Sequence, residues 1–276
     1  MPCSDHILTM GSLFDGIGGF PLAAMRCGII PVWASEIEAF PISVTKTRFP
    51  HMVHVGDITR LRGAELPPVD ILCGGSPCQD LSVAGARAGL AGARSGLFLE
   101  QIRITKELRD ADIRRGRPAV LVRPRWFCWE NVPGAFSSGT PKYEDFRIVL
   151  EEVTGVVCDP IYVPGPYPWT WRPAGQTFLG VAFSMAWRVL DAQYWPGTPQ
   201  RRRRIYLVAD FGGLTAPQIL FDQKSLSGYF AQIRAAGQTA PSSAEARPDD
   251  AGGVDPMWDI SGSTSRLSHQ SAGGDH

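Results

Sequence analysis

The chain has no long hydrophobic run, no net charge, little lysine and no paired-cysteine motif, and each absence closes off a class of protein. A membrane-spanning helix needs about 20 consecutive apolar residues, and no segment of the 276-residue sequence supplies them. The N-terminal stretch MPCSDHILTMGSLFDG has no basic region followed by an apolar core, so no secretory signal is expected. Lys+Arg and Asp+Glu both number 27, which excludes a histone-like polycation and an acidic solvating tail. A neutral total can still conceal a basic face. Of the basic residues, 23 are arginine and 4 lysine, and arginine makes the planar, two-pronged contacts that suit phosphates and base edges. The six cysteines, at positions 3, 27, 73, 78, 128 and 158, show no C-x-x-C spacing. That fits a reducing compartment, and a cytoplasmic location is expected. The remaining zinc candidate, His51, His54, Cys73 and Cys78, matches structural zinc spacings poorly, so no metal is expected.

What is present is a chain long enough for one large core, with 44% apolar residues, and an alternation of short apolar runs with helical patterns. Strands are expected over Ile7–Leu13, Pro31–Ser35, Met52–Val55, Val69–Cys73, Arg125–Trp129, Ala182–Leu190 and Ile205–Ala209. Helices are expected over Phe20–Cys27, Glu38–Arg48, Gly96–Arg109 and Lys142–Val153. This alternation predicts a three-layer α/β fold, a Rossmann-like sheet with helices on both faces. Ligands in such sheets collect at the carboxyl ends of the strands. The segment Asp159–Gln176, rich in Pro, Gly and Trp, reads as an ordered surface insertion. Residues 231–276 contain only six large apolar residues, too few to offset chain entropy, and are expected to be disordered.

The motifs fall at the ends of predicted strands or, for the arginine run, at the entry to one. Phe14-Asp-Gly-Ile-Gly-Gly-Phe20 follows the first strand and opens a helix. Its glycines allow close backbone approach to a ligand, and the helix start offers free N–H groups; a plain tight turn is the alternative. Glu36 ends the second strand, where a carboxylate can accept from ribose hydroxyls, and Asp57-Ile58 follows the third with a polar edge and an apolar face. Gly-Gly-Ser-Pro-Cys-Gln (74–79) holds Cys78 behind a proline, as a nucleophile or as a buried structural thiol. Trp-Glu-Asn-Val (129–132) places Glu130 at a strand end beside Trp126, Phe127 and Trp129, an apolar setting that would suit it to act as an acid. Gln200-Arg-Arg-Arg-Arg-Ile-Tyr206 runs into the last strand, so Arg202 and Arg204 share one face while Arg201 and Arg203 share the other. The alternative there is a solvated charge run.

Taken in this order, FDGIGGF, Glu36, GDI (56–58), GGSPCQ, ENV and QRRRRI resemble the DNA cytosine-5 methyltransferases, and the flanking segments resemble the phage and prophage branch. The resemblance spans roughly residues 7–210 and implies an S-adenosyl-L-methionine cofactor, a double-stranded DNA substrate and a role in DNA methylation, with restriction-modification as one setting. By the same resemblance Cys78 is the nucleophile and Glu130 the acid, with Arg202 and Arg204 lining the pocket. Phe14, Gly16, Ile17, Gly18, Glu36, Asp57, Ile58 and Pro77 hold the cofactor. Gln79, Ser82, Arg87, Arg94 and Gln200 meet DNA, and Leu81–Gly96 is a lid. Residues 1–212 would form the catalytic domain and 213–230 the start of a target-recognition region. The family's later Gly-Asn-[Ser/Ala]-Val motif is missing, since the sequence has no Gly-Asn dipeptide. A truncated or split enzyme, inactive alone or completed by a second chain, is therefore the alternative. A nucleotide-dependent oxidoreductase is disfavoured because G-x-G-G departs from the dinucleotide pattern.

Overall fold

The computed structural model describes residues 7–77, 96–159, 161–166, 170–194 and 200–221. Eight strands form one sheet in the order β3-β2-β1-β4-β5-β8-β7-β6. The strands are β1 (Thr9–Leu13), β2 (Ile30–Ser35), β3 (Val53–His54), β4 (Ile71–Gly74), β5 (Trp126–Asn131), β6 (Ala174–Leu179), β7 (Phe183–Asp191) and β8 (Arg203–Asp210). The first five pair parallel. The last three add antiparallel, with β8 inserted between β5 and β7. The chain runs outward from β1 through β2 to β3, then returns to lay β4 on the other side of β1. Strand order thus reverses between β1 and β4, the place where α/β sheets open a crevice for ligands.

One face of the sheet is covered by α3 (Gly96–Arg114) and α4 (Glu144–Thr154). The buried positions of α3, including Phe98, Gln101, Ile102, Thr105, Leu108 and Asp112, repeat every three or four residues as one helix stripe requires. Phe98 and Ile102 join Phe146, Val149 and Val153 of α4 over Phe127, Trp129, Trp187, Ile205 and Leu207. Further along α3, Ile104 and Leu108 pack on Leu13, Trp33 and Leu72. The opposite face carries α1 (Gly19–Arg26), whose Ala24 packs with Met10 and Cys73, and α5 (Ala216–Phe221), whose Ala216 packs with Ala186 and Val208. The layered α/β architecture with helices on both faces is the one expected.

One segment departs from the sequence reading. Residues 174–176, placed in the surface insertion, begin β6, which hydrogen-bonds along β7 from Ala174↔Arg188 to Leu179↔Phe183. Weak hydrophobic alternation in Ala-Gly-Gln-Thr hid this strand, and pairing with a long partner forms it regardless. Within residues 213–230, assigned to target recognition, Ala216–Phe221 form α5, which packs on β7 and β8, and residues 222–276, including the tail expected to be disordered, lie outside the described residues. Among the described residues no helix is long and apolar enough to cross a membrane.

Register between β5 and β8 is anchored at one end by an ion pair. Arg125 donates from Nε and Nη2 to the two carboxylate oxygens of Asp210, at 2.8 and 3.0 Å. Burial alone would raise the Asp210 carboxyl, but hydrogen bonds from Arg125 and Thr215 hold it below its ordinary range. This two-pronged contact fixes the slide of one strand on the other, and the opposite end of the same strand pair carries the candidate chemistry.

Candidate active site

The turn after β1 is shaped by backbone that glycine tolerates best. Gly16 and Gly18 have φ of 56° and 87°, and Phe14 itself sits at φ 54°. A side chain at Gly18 would also collide with Thr45 of α2 (Ala39–Arg48) and with Phe49 at the end of that helix. The Gly16 N–H donates to Glu36 Oε2 at 2.8 Å, while the other oxygen of Glu36 accepts from the N–H groups of Ile37 and Glu38. Glu36 therefore ties the end of β2 to the turn after β1. Ser35 extends the tie by donating its hydroxyl to the Gly56 carbonyl at 2.6 Å. Asp57 accepts from the Thr59 N–H and hydroxyl, which hold its carboxyl below the ordinary range, and Ile58 beside it is buried. Phe14, Gly16, Ile17, Gly18, Glu36, Asp57 and Ile58 thus line adjacent strand ends, with Ile17 and Ile37 exposed.

Asp15 sits under this turn and was not singled out by the sequence. Its Oδ1 accepts from the Ser12 hydroxyl at 2.6 Å, and its buried Oδ2 has no hydrogen-bond partner. Burial, aided by the charge of Glu36 and opposed by the Ser12 bond, raises its pKa from 3.8 to about 6.

Glu130 stands at the junction between the parallel and antiparallel parts of the sheet. It pairs in register with Tyr206 of β8, and Arg204 places its Nε 2.9 Å from Glu130 Oε1. The expected apolar setting of Glu130 is corrected here. Phe127 and Trp129 point to the α3/α4 face, and strand alternation turns Glu130 the other way, toward a guanidinium. Burial raises the Tyr206 hydroxyl above its ordinary range, and the positive charges of Arg202 and Arg204 both act against that rise. The Arg202 N–H is held by Asp191, and Gln200 is exposed at the entry to β8.

The loop after β4 is registered against three consecutive residues of β5. A side chain at Gly75 would meet Glu130 Oε2 at 2.9 Å, so that oxygen lies against the loop backbone. Trp129 donates its indole N–H to the Ser76 hydroxyl at 3.1 Å, and Asn131 donates its side-chain amide to the Ser76 carbonyl at 3.0 Å. Pro77 follows, exposed. Cys78, Gln79, Ser82, Arg87, Arg94 and the lid 81–95 lie outside the described residues. Of the zinc candidates, Cys73 sits instead against the Met10 sulfur at 3.6 Å. Among the described residues no three His, Cys, Asp or Glu side chains converge as a metal site.

Comparison with known proteins separates what this geometry leaves open. Residues 8–156, more than half of the chain, match the model of the C-5 cytosine-specific DNA methylase. The chain belongs to this family. The family match covers the glycine turn, Glu36, Asp57, the loop after β4, and Glu130. The chain is 34% identical over 224 residues to a "DNA N-6-adenine-methyltransferase" of Escherichia phage P1, covering 73% of this chain and 28% of that protein. It is 31% identical to the type II methyltransferase M2.BsuMI of Bacillus subtilis, covering 72% and 41%. It is 30% identical to the type II methyltransferase M1.ScrFI of Lactococcus lactis subsp. cremoris, covering 80% and 43%. The chain thus spans less than half the length of these methylase relatives.

Proposed function

We propose that the chain transfers a methyl group from S-adenosyl-L-methionine to C5 of cytosine in double-stranded DNA. The observation that carries this reading is the Glu130–Arg204 pair at the sheet junction, set against the loop that leads into Cys78. A carboxyl and a guanidinium side by side match the edge of cytosine: Glu130 would meet N3 and the exocyclic amine, and Arg204 would meet O2. Cys78 thiolate would add to C6, forming an S–C6 bond and pushing an electron pair toward C5. Glu130 would hold a proton at N3 as charge develops there. After methylation at C5, loss of the C5 proton and cleavage of the S–C6 bond would restore the ring and free Cys78. The base must leave the helix stack to reach these groups, at a cost of a few kcal/mol. Leu81–Gly96 are proposed as the covering lid, with Gln79, Ser82, Arg87, Arg94 and Gln200 on the DNA.

The residues present fit the cofactor. The carboxyls of Asp15, Glu36 and Asp57 gather at the ends of β1, β2 and β3, and one buried oxygen of Asp15 lacks a partner. This suits a ligand bearing a sulfonium and an ammonium. The uncapped start of α1 offers N–H groups to a carboxylate. Phe14, Gly16, Ile17, Gly18, Glu36, Asp57, Ile58 and Pro77 are the proposed holders. When bound, the cofactor supplies an electrophilic methyl group.

Two further readings stay within the same test. The phage P1 relative's name points to adenine N6, and the lengths of the relatives leave room for a lobe that needs a second chain or segment, residues 213–230 being the proposed start of target recognition. Labelled S-adenosylmethionine and mixed-sequence duplex DNA should yield 5-methylcytosine with this chain, and Cys78→Ser should abolish it. Label in N6-methyladenine would overturn the cytosine assignment. No label from a folded chain would assign only a binding lobe.

A further inference from the structure

We infer that Trp129 is a positioning residue for the nucleophile loop, acting through the hydroxyl of Ser76; this rests on the proposed role of Cys78. Trp129 is fully buried and Ser76 is 4% exposed. Among the described residues half-buried Trp126 donates its indole N–H to the Thr215 hydroxyl, while the other buried tryptophans send theirs to backbone carbonyls, Trp33 to Pro67, Trp171 to Tyr143 and Trp187 to Arg172. Trp129 instead donates to a side chain, two residues ahead of Cys78 in sequence. The adjoining Asn131 holds the carbonyl of the same serine. Ser76 is therefore gripped at both its side chain and its backbone by β5.

The grip has a chemical purpose that core packing alone lacks. Trp129 and Asn131 flank Glu130, and Gly75 lies against Glu130 on the other side of the strand. One three-residue stretch, Trp-Glu-Asn, thus sets both the acid and the start of the loop that delivers the thiol. Catalytic groups displaced by about 1 Å can lose on the order of 100-fold in rate. A hydrogen bond from a rigid, buried indole is suited to remove that slack, since the ring of Trp129 is locked between Phe98 and Phe146 at 5.8 and 6.4 Å.

The test is a double-mutant cycle of Trp129→Phe and Ser76→Ala, read in two ways. Methyl transfer is measured as kcat and KM. Alkylation of Cys78 by iodoacetamide in the free protein is followed by peptide mass spectrometry, with exposed Cys27 as internal reference. Each single variant should lower kcat about 10-fold with KM for DNA within twofold, and should change the Cys78 labelling rate at least about threefold. The double variant should match either single, because both remove one bond. Ser76→Ala changes almost no volume and keeps the test valid if Trp129→Phe folds poorly. Multiplying effects, or an inert Ser76→Ala in both readouts, overturn the inference. Coupled labelling without any methyl transfer from the parent chain would uphold the latch and sink the proposed reaction.

Discussion

Each part of the sheet contains a glycine facing a buried tryptophan on the neighbouring strand, and the two pairs serve different surroundings. In the parallel part, Gly11 of β1 is in register with Trp33 of β2; in the antiparallel part, Gly175 of β6 is in register with Trp187 of β7. In both, a methyl added at the glycine would land within the indole ring. The indole lies flat over the strand, as aromatic rescue of a glycine requires. The parallel pair sits on β1 and β2, the strands that lead into the glycine turn and Glu36. The antiparallel pair is at the sheet edge and supports the strands that carry Arg204. The lesson is that one packing device can support a sheet edge in one part and the strand ends of a candidate site in the other.

The comparison can be broken most forcefully at the junction of the two parts. Glu130→Gln keeps the shape but cannot deliver a proton or pair fully with Arg204. Methyl transfer should fall at least about 100-fold, measured in single turnover, with cofactor affinity by calorimetry unchanged within twofold. Asp210→Asn removes one partner of the ion pair that sets β5 on β8. Chemical unfolding should show a loss of about 3 kcal/mol.

The parallel part has a pH signature opposite in sign to that of the antiparallel part, where hydrogen bonds hold Asp210 low. The folded-state pKa of Asp15 is raised, so the folded chain binds more protons than the unfolded chain between pH 3.8 and about 6. Its contribution to stability is greatest at low pH and is lost as pH rises through that window. Asp15→Asn should remove this slope and stabilise the chain at pH 7 by roughly 2 kcal/mol, read from denaturant midpoints at pH 4 and pH 7. Gly11→Ala should cost about 2 kcal/mol and weaken cofactor binding measured by calorimetry. Gly175→Ala, at the edge, should cost about 1 kcal/mol and leave that binding unchanged. Equal effects of the two glycine substitutions on binding would remove the distinction drawn between the two pairs.

Much of the parallel part was legible because its signals are local. Apolar runs of four to six residues end in Gly, Asp or Glu, and helices follow with their own period. The antiparallel part was less so. β6 has little alternation, and it is a strand because β7 offers nine residues to pair with. In the site, the residue types Glu130, Arg202 and Arg204 could be read in advance. Their pairing could not, since it depends on β8 entering antiparallel beside β5. The environment of Glu130 is not legible from its sequence neighbours, because Phe127 and Trp129 are not its neighbours in space. Alternation sends them through the sheet. The hydrogen bonds of Trp129 and Asn131 to Ser76 are not legible in their motifs, because they join segments 53 to 55 residues apart.

The insertion of β8 between β5 and β7 also sets a clock on the newborn chain. Glu130 and Arg204 are 74 residues apart in sequence, so at about 5 to 20 residues per second a ribosome needs roughly 4 to 15 s to make the second after the first. During that interval the glycine turn and Glu36 can already meet, while Glu130 has no guanidinium and β5 has an open edge. Chemistry at the junction is thereby postponed until the last described strand has been synthesised and threaded into place. An arrest series should show the parallel strands gaining protease protection early, and the β5–β8 seam closing only once residue 210 has cleared the exit tunnel.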